Sequence, residues 1–296
     1  MGRLHTPGGI REIGKKHDFR TAKRLGQNFL TDLSVVDRIV ESSEAGPRDL
    51  VIEIGPGMGV LTARAADAAG KVAAIEVDAK LIPILRETLA PYANVAVIHE
   101  DVLKADLQAI IDQERALSDG TLAEQVRILG NLPYYITTPI LMKLLEERVG
   151  VQSITIMVQK EVAQRISAPP GSRIYGALSV AVQYYCEIDY VVTVPKEAFY
   201  PVPKVDSAVI HLRLRAKPPV KLLSEKLFFE CVKKGFGQRR KTLHNALTGI
   251  CELDKDATGR LLEAAGIDPV RRAETLSLEE FAALANCLAQ PGLHIR

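Results

Sequence analysis

The sequence predicts an α/β protein: a mostly parallel sheet covered by helices on both faces, followed by a small all-α C-terminal domain. Five short apolar runs alternate with amphipathic helical stretches, which implies βαβ units. Two more strand candidates follow with only a short, proline-rich connection between them. Beyond Lys217-Pro218-Pro219 the pattern is helical, with no convincing strand from Leu222 onward.

In order, the five alternating strands are expected at Leu50–Ile54, Val72–Ile75, Val95–His99, Val126–Gly130 and Ile154–Val158. The helices are expected at Leu33–Glu41, Val60–Ala69, Ala79–Thr88, Pro139–Glu147 and Lys160–Ile166. Residues 106–125 read as a surface helix and loop. Val191–Val194 and Ala208–Leu214 enclose Pro195, Pro201 and Pro203, and suit an antiparallel pair at the far side of a seven-stranded sheet. The proline break places a domain boundary near residue 216, giving domains over 1–216 and 217–296.

Composition excludes several classes. The chain has 296 residues, 47% hydrophobic and 25% charged, an ordinary globular balance. No apolar run approaches the roughly 20 residues of a bilayer span. The first residues are basic but lack an apolar core, so no secretory signal is expected. Four cysteines lie far apart without metal-ligand spacing, and six histidines do not cluster. These features predict no metal and a cytoplasmic protein. The net charge of +2 is unevenly spread: residues 1–24 carry net +5, residues 25–216 net −6 and residues 217–296 net +3. Basic ends around an acidic middle fit a core flanked by surfaces that meet a polyanion.

The strand ending at Gly130 runs into Asn131-Leu132-Pro133-Tyr134. An ordinary proline turn would look the same, but this tip has the parts needed to hold a planar exocyclic amine. The Asn131 amide oxygen and the Leu132 carbonyl can accept hydrogen bonds from an amino group, and Tyr134 can stack on the ring that carries it. Pro133 restricts Leu132, so the direction of its carbonyl is set in advance.

The first strand leads into Glu53-Ile54-Gly55-Pro56-Gly57-Met58-Gly59-Val60. Gly55 and Gly57 let a ligand approach the backbone at a strand's carboxyl end. Val60 stands where a dinucleotide fingerprint wants glycine, which argues against NAD or FAD. Glu76 ends the second strand and can take both hydroxyls of a ribose, while Asp101 follows the third and can accept from an adenine amine. Each acid alone could be a helix cap. In this order they build a nucleoside pocket. Nothing resembling a phosphate cradle accompanies it, so the cofactor expected is S-adenosylmethionine.

Six separated stretches then agree with one family: Gly26–Leu30, Glu53–Thr62, Glu76, Glu100–Leu103, Asn131–Tyr134 and Phe199–Ser207. Through them the chain resembles the ribosomal RNA adenine dimethyltransferases, over about three quarters of its length, from Lys23 to at least Gly249. The resemblance implies a Rossmann-like class I methyltransferase. It assigns Gln27, Asn28 and Leu30 to a cover over S-adenosylmethionine and Gly55 to its methionine part. Glu76 would then hold the ribose, Asp101 and Val102 the adenine, Gly57 and Val77 would belong to the same donor site, and Asn131 would sit between donor and target. Catalysis is assigned to Asn131, Leu132, Tyr134 and Phe199, with Tyr134 and Phe199 stacking on opposite faces of the target base; a core aromatic beside a proline-rich turn is the bland alternative for Phe199. The implied substrate is a pair of adjacent adenosines in a hairpin loop near the 3′ end of 16S ribosomal RNA, in the small (30S) subunit or its precursor. A monomer away from any membrane is expected.

RNA would bind through basic surfaces. Lys233, Lys234, Arg239, Arg240 and Lys241 put five positive charges in nine residues, and a solvated helix face is the bland alternative. Lys23, Arg24 and Lys204 lie beside family motifs, and Arg165 and Arg173 flank the Ala168–Gly171 loop. Two other readings compete. A macrolide-resistance type methylates one adenosine of large-subunit RNA, and its tip more often has Ile in place of Leu132. A non-catalytic assembly factor would keep the fold without the chemistry; intact Gly55, Glu76, Asp101 and Asn131 weigh against it.

Overall fold

A computed structural model of the chain describes residues 4–19 and 26–290. Lys23 and Arg24 lie outside the described residues. In chain order the elements begin α1 (Pro7–Lys16), β1 (Phe29–Leu30), α2 (Leu33–Ser43), β2 (Asp49–Ile54), α3 (Val60–Ala68), β3 (Lys71–Glu76), α4 (Ile82–Thr88) and β4 (Val95–His99). They continue with α5 (Leu107–Glu114), β5 (Gln125–Asn131), α6 (Thr137–Glu147), β6 (Ser153–Gln159), α7 (Lys160–Ile166) and α8 (Ala177–Tyr185). The chain then forms β7 (Cys186–Val194), β8 (Phe199–Tyr200), β9 (Ser207–Leu214), α9 (Glu225–Gly237), α10 (Leu243–Leu247), α11 (Lys255–Ala264) and α12 (Leu278–Ala289).

The chain forms two compact units, residues 1–163 with 187–214, and residues 164–186 with 215–296. The boundary expected near 216 falls beside the division at 214/215, and the structure adds residues 164–186 to the C-terminal unit. The intervening stretch 164–186 clusters with the C-terminal helices because α8 buries Val180 and Tyr184 against Phe228 of α9.

The first unit holds a seven-stranded sheet in the order β4-β3-β2-β5-β6-β9-β7. Pairings along β4-β3-β2-β5-β6 are parallel, and β9 joins β6 antiparallel. All six residues of β2 are buried, as a central parallel strand covered on both faces requires. Chain order reverses between β2 and β5, and ligands of such sheets bind at the carboxyl ends beside that reversal. Register pairs Ile54 with both Ile75 and Gly130. The next residue on each strand, Gly55, Glu76 and Asn131, therefore lies in one row across the rim.

At the opposite end of β5, Arg127 Nε donates to Asp49 Oδ2 at 2.8 Å with both groups buried. Further bonds to the Ser43 carbonyl and to Gln125 Oε1 leave the guanidinium well partnered, the condition under which a buried pair is tolerated.

Helices α1 and α8 have no counterpart among the expected elements, and three further features depart from them. A two-residue ladder joins β1 to β8 antiparallel, pairing Leu30 with Phe199. Strand β7 begins at Cys186, five residues before the expected start. Helix α4 begins at Ile82 rather than Ala79, because Asp78 Oδ1 first binds the Lys80 N–H in a turn and Pro83 suits only the first helical turn.

The second unit packs α8 to α12 around an apolar cluster that includes Phe228, Leu243, Leu247, Phe281 and Leu284. Ser224, Thr242, Asp254 and Ser277 cap α9, α10, α11 and α12, and Ser277 forms a reciprocal pair with Glu280. Among the described residues no helix is long and apolar enough to cross a membrane.

Candidate active site

One pocket opens at the sheet's rim, within the first unit. Its lining includes Gln27, Asn28, Leu30, Gly55, Gly57, Glu76, Val77, Asp101, Val102, Asn131, Leu132 and Tyr134. Every expected donor-site residue, and three of the four expected catalytic residues, thus meet in a single cavity.

The loop after β2 depends on its glycines. Gly55 and Gly57 have φ of +70° and +58°, a region that side chains disfavour. A Cβ at Gly57 would also lie 3.0 Å from the Phe29 ring. At the end of β5, a Cβ on Gly130 would meet the Ile54 carbonyl at 3.0 Å. The strand tips can approach closely only because these positions are bare.

Glu76 is buried at the end of β3, and its Oε1 accepts from the Asp78 N–H at 2.8 Å. Burial pushes its carboxyl up to about 7, against the opposing pull of backbone N–H groups of Asp78, Gly57 and Val77. Val77 is exposed although apolar, and forms an open wall beside Glu76. Asp101 Oδ1 accepts from the Leu103 N–H at 3.1 Å, which fixes its carboxylate at the rim with Val102 buried behind it. On the other side Gln27 Nε2 donates to Asp78 Oδ2 at 2.9 Å and holds the 26–30 segment against the sheet's edge.

The Asn131 amide is oriented by its surroundings. Nδ2 donates to the Asn28 carbonyl at 3.0 Å, so Oδ1 is left as an acceptor without a partner among the described residues. The next two carbonyls behave differently. That of Pro133 accepts from the Ile136 N–H and Thr137 Oγ1, both at 3.1 Å. That of Leu132 accepts none among the described residues. The tip therefore presents two adjacent unused acceptors. Tyr134 is half-buried beside them, its hydroxyl 2.7 Å from Ser207 Oγ at the start of β9. Burial raises the Tyr134 phenol above its ordinary value, so it stays neutral at physiological pH.

Phe199 is the exception among the expected catalytic residues. It is 2% exposed and absent from the pocket lining, packed with Leu30, Val194 and Val209. Its pairing with Leu30 in the β1–β8 ladder directs the ring into the core, and the second stacking face is not presented here.

Sequence reasoning passed over Glu53. This residue lines the pocket, is 1% exposed, and its Oε2 has no hydrogen-bond partner among the described residues. Burial, with the nearby Glu76 charge, pushes its carboxyl up to about 8. An acid whose value rises on folding binds its proton more tightly in the folded state. The stability this gives is complete below about pH 4.5 and is lost as pH rises toward 8. Thermal or urea unfolding of the ligand-free protein should therefore show Glu53→Gln gaining on wild type from pH 5 to pH 9. The gain expected is on the order of a few kcal/mol. A constant difference across that range would mean that Glu53 does not titrate within it.

The basic residues lie on exposed surface. Lys204 sits in the loop before β9, and Lys233 and Lys234 on the outer face of α9. Arg239, Arg240 and Lys241 occupy an exposed turn between α9 and α10, closed by the Lys241 N–H on the Gln238 carbonyl. Arg239 also donates to the Arg173 carbonyl at 2.6 Å, which ties this turn to the 168–173 loop within the second unit.

A parallel sheet with this strand order, a glycine loop without a phosphate cradle, and a buried acid at the second strand's end define a class I S-adenosylmethionine-dependent methyltransferase. The residues fit that donor: left-handed glycines open the loop, and Glu76 and Asp101 stand at successive strand ends with their carboxylates held by backbone N–H groups. Comparison with known proteins narrows the class. A model of the ribosomal RNA adenine dimethylase family matches residues 18–290. Ribosomal RNA small subunit methyltransferase A of Bacillus cytotoxicus is 50% identical over 291 residues, 97% of this chain and 98% of that protein. The protein of the same name from Bacillus mycoides gives the same figures. Among solved structures, the 23S rRNA methyltransferase ErmE is 29% identical with a TM-score of 0.66, over 89% of this chain and 100% of that one. A dimethyladenosine transferase from Plasmodium falciparum shares the fold at a TM-score of 0.72 and 24% identity, over 86% and 95% of the two chains. The chain belongs to the ribosomal RNA adenine dimethylase family.

Proposed function

We propose that this enzyme dimethylates the 6-amino groups of two adjacent adenosines in a 3′-terminal hairpin loop of 16S ribosomal RNA, acting on the small subunit or its precursor during its biogenesis. The observation that carries this reading is the pair of unused acceptors, Asn131 Oδ1 and the Leu132 carbonyl, beside the Tyr134 ring. Relatives half identical over their whole length are small-subunit enzymes, whereas the 23S enzyme is 29% identical, which favours 16S over large-subunit RNA.

The chemistry asked of the residues is placement. The adenine 6-amino lone pair is delocalised into the ring and is a poor nucleophile. When bound, S-adenosylmethionine supplies an electrophilic methyl group. Two acceptors on one amine hold it in place and favour the pyramidal nitrogen of the transition state. Tyr134 stacks on the base, which must leave its own stack to enter the pocket. No strong base is required, since the nitrogen becomes acidic once alkylated, and none stands between Asn131 and Tyr134. We assign the donor to Gln27, Asn28, Leu30, Gly55, Gly57, Glu76, Val77, Asp101, Val102 and Asn131, as the sequence suggested. A cytoplasmic monomer fits this role.

Labelled donor offered with unmethylated small and large subunits should mark small-subunit RNA alone; label in large-subunit RNA would move the enzyme to the resistance type. We further assign the α9–α10 segment to the RNA backbone. Neutralising Arg239, Arg240 and Lys241 together should weaken subunit binding and reduce the slope of log K against log salt by up to about three. An unchanged slope would return the segment to ordinary solvated surface.

A further inference from the structure

Tyr134 and Tyr135 are neighbours in the chain but are held differently. The Tyr134 hydroxyl is tied to Ser207 and its ring is half-buried. Tyr135 also lines the pocket, yet it is 57% exposed, and its hydroxyl has no hydrogen bond among the described residues. Its ring rests on bare main chain. A Cβ built on Gly26 would lie 3.4 Å from Tyr135 Cδ1 and 3.5 Å from Cε1, and Gly26 has φ of +59°. Glycine at position 26 therefore lets the ring lie close against the backbone on one side while much of the ring stays open to solvent. The ring's own base is firm, because the Pro133 carbonyl is held by both Ile136 and Thr137.

A single exposed aromatic residue is common on any surface. What distinguishes Tyr135 is its place at the pocket that draws a base from its stack. A base that leaves its stack strips its neighbour of one stacking partner, and an aromatic face at the pocket mouth can replace that partner. We propose that Tyr135 is the platform on which the adenosine next to the one being methylated stacks. Tyr134 holds one target inside the pocket while Tyr135 holds the other at its mouth. The inference rests on the reading that the substrate is a pair of adjacent adenosines.

The test compares Tyr135→Leu, which keeps apolar bulk without a ring, with Tyr135→Phe, which keeps the ring. With unmethylated small subunits, Tyr135→Leu should raise KM by about tenfold or more, the loss expected of one base–aromatic stack. Tyr135→Phe should match wild type. Donor Kd by calorimetry and thermal unfolding should be unchanged in both. Mass analysis of the target fragment should show Tyr135→Leu leaving the two adenosines unequally methylated. Wild-type KM and product pattern in Tyr135→Leu would overturn the proposal, and a weakened donor Kd would instead place Tyr135 over the donor. If wild-type enzyme itself fails to dimethylate small-subunit RNA, the adenosine-pair reading falls and this one with it.

Discussion

Asn131→Ala should lower the turnover number for methyl transfer by about a hundredfold to a thousandfold, the loss typical of removing one preorganised transition-state hydrogen bond. Donor affinity should stay within a few-fold of wild type. The two effects separate because the Asn131 amide has two separate jobs. On the proposed reading its oxygen accepts from the substrate amine, whereas its nitrogen donates to the Asn28 carbonyl in the segment proposed to cover the donor. Losing that support loosens one wall of the donor site, while Gln27 still anchors the segment through Asp78. Single-turnover rates with saturating donor, alongside calorimetric donor Kd, measure both quantities. Wild-type turnover by the variant would remove Asn131 from the chemistry. A donor Kd raised as much as turnover is lowered would make it a donor ligand alone.

The second large effect is expected at Glu76. Replacing it with alanine should raise the donor Kd by about a hundredfold or more, because a carboxylate accepting two hydroxyls makes two charge-assisted bonds. Wild-type affinity should carry a matching pH dependence. Burial holds the ligand-free carboxyl near 7, and the ionised form is the better acceptor. Donor binding should therefore strengthen as pH rises through about 7 and weaken below it, and Glu76→Gln should flatten that dependence. Because the Glu76 charge helps raise Glu53 to about 8, the comparison is made in a Glu53→Gln background, where only position 76 differs. Unchanged donor affinity in Glu76→Ala would exclude the carboxylate from the ribose site.

Much of this site was legible because class I chemistry gathers at strand ends, and strand ends are where an apolar run gives way to glycine, acid or proline. Gly55, Glu76, Asp101 and Asn131 each stand at such a break, and register alone places Gly55, Glu76 and Asn131 in one row. Parallel strands such as β2 and β5 are read easily, since burial on both faces demands continuous apolar residues. Strand β7 was harder. Residues 187–190 alternate little and are largely exposed, as befits an edge strand, so only its apolar end was recognised. The β1–β8 ladder had no local signal, because two residues show no period and the partners lie about 170 positions apart. That ladder is also what buries Phe199, which makes it the core aromatic that its proline-rich surroundings offered as the alternative to stacking. Glu53 was overlooked for the opposite reason. A lone acid inside an apolar strand reads as part of the glycine loop, and only its burial beside Glu76 shows how unusual its environment is.

Two neighbouring adenosines of small-subunit RNA are each expected to receive two methyl groups. The most direct measurement incubates the enzyme and S-adenosylmethionine with unmethylated small subunits, digests the RNA, and reads nucleoside masses and their positions. Two adjacent dimethyladenosines in one 3′-terminal hairpin loop, both absent with Asn131→Ala, are the result expected. A single modified adenosine, or methyl groups elsewhere in the RNA, would rule out the adenosine pair as the substrate.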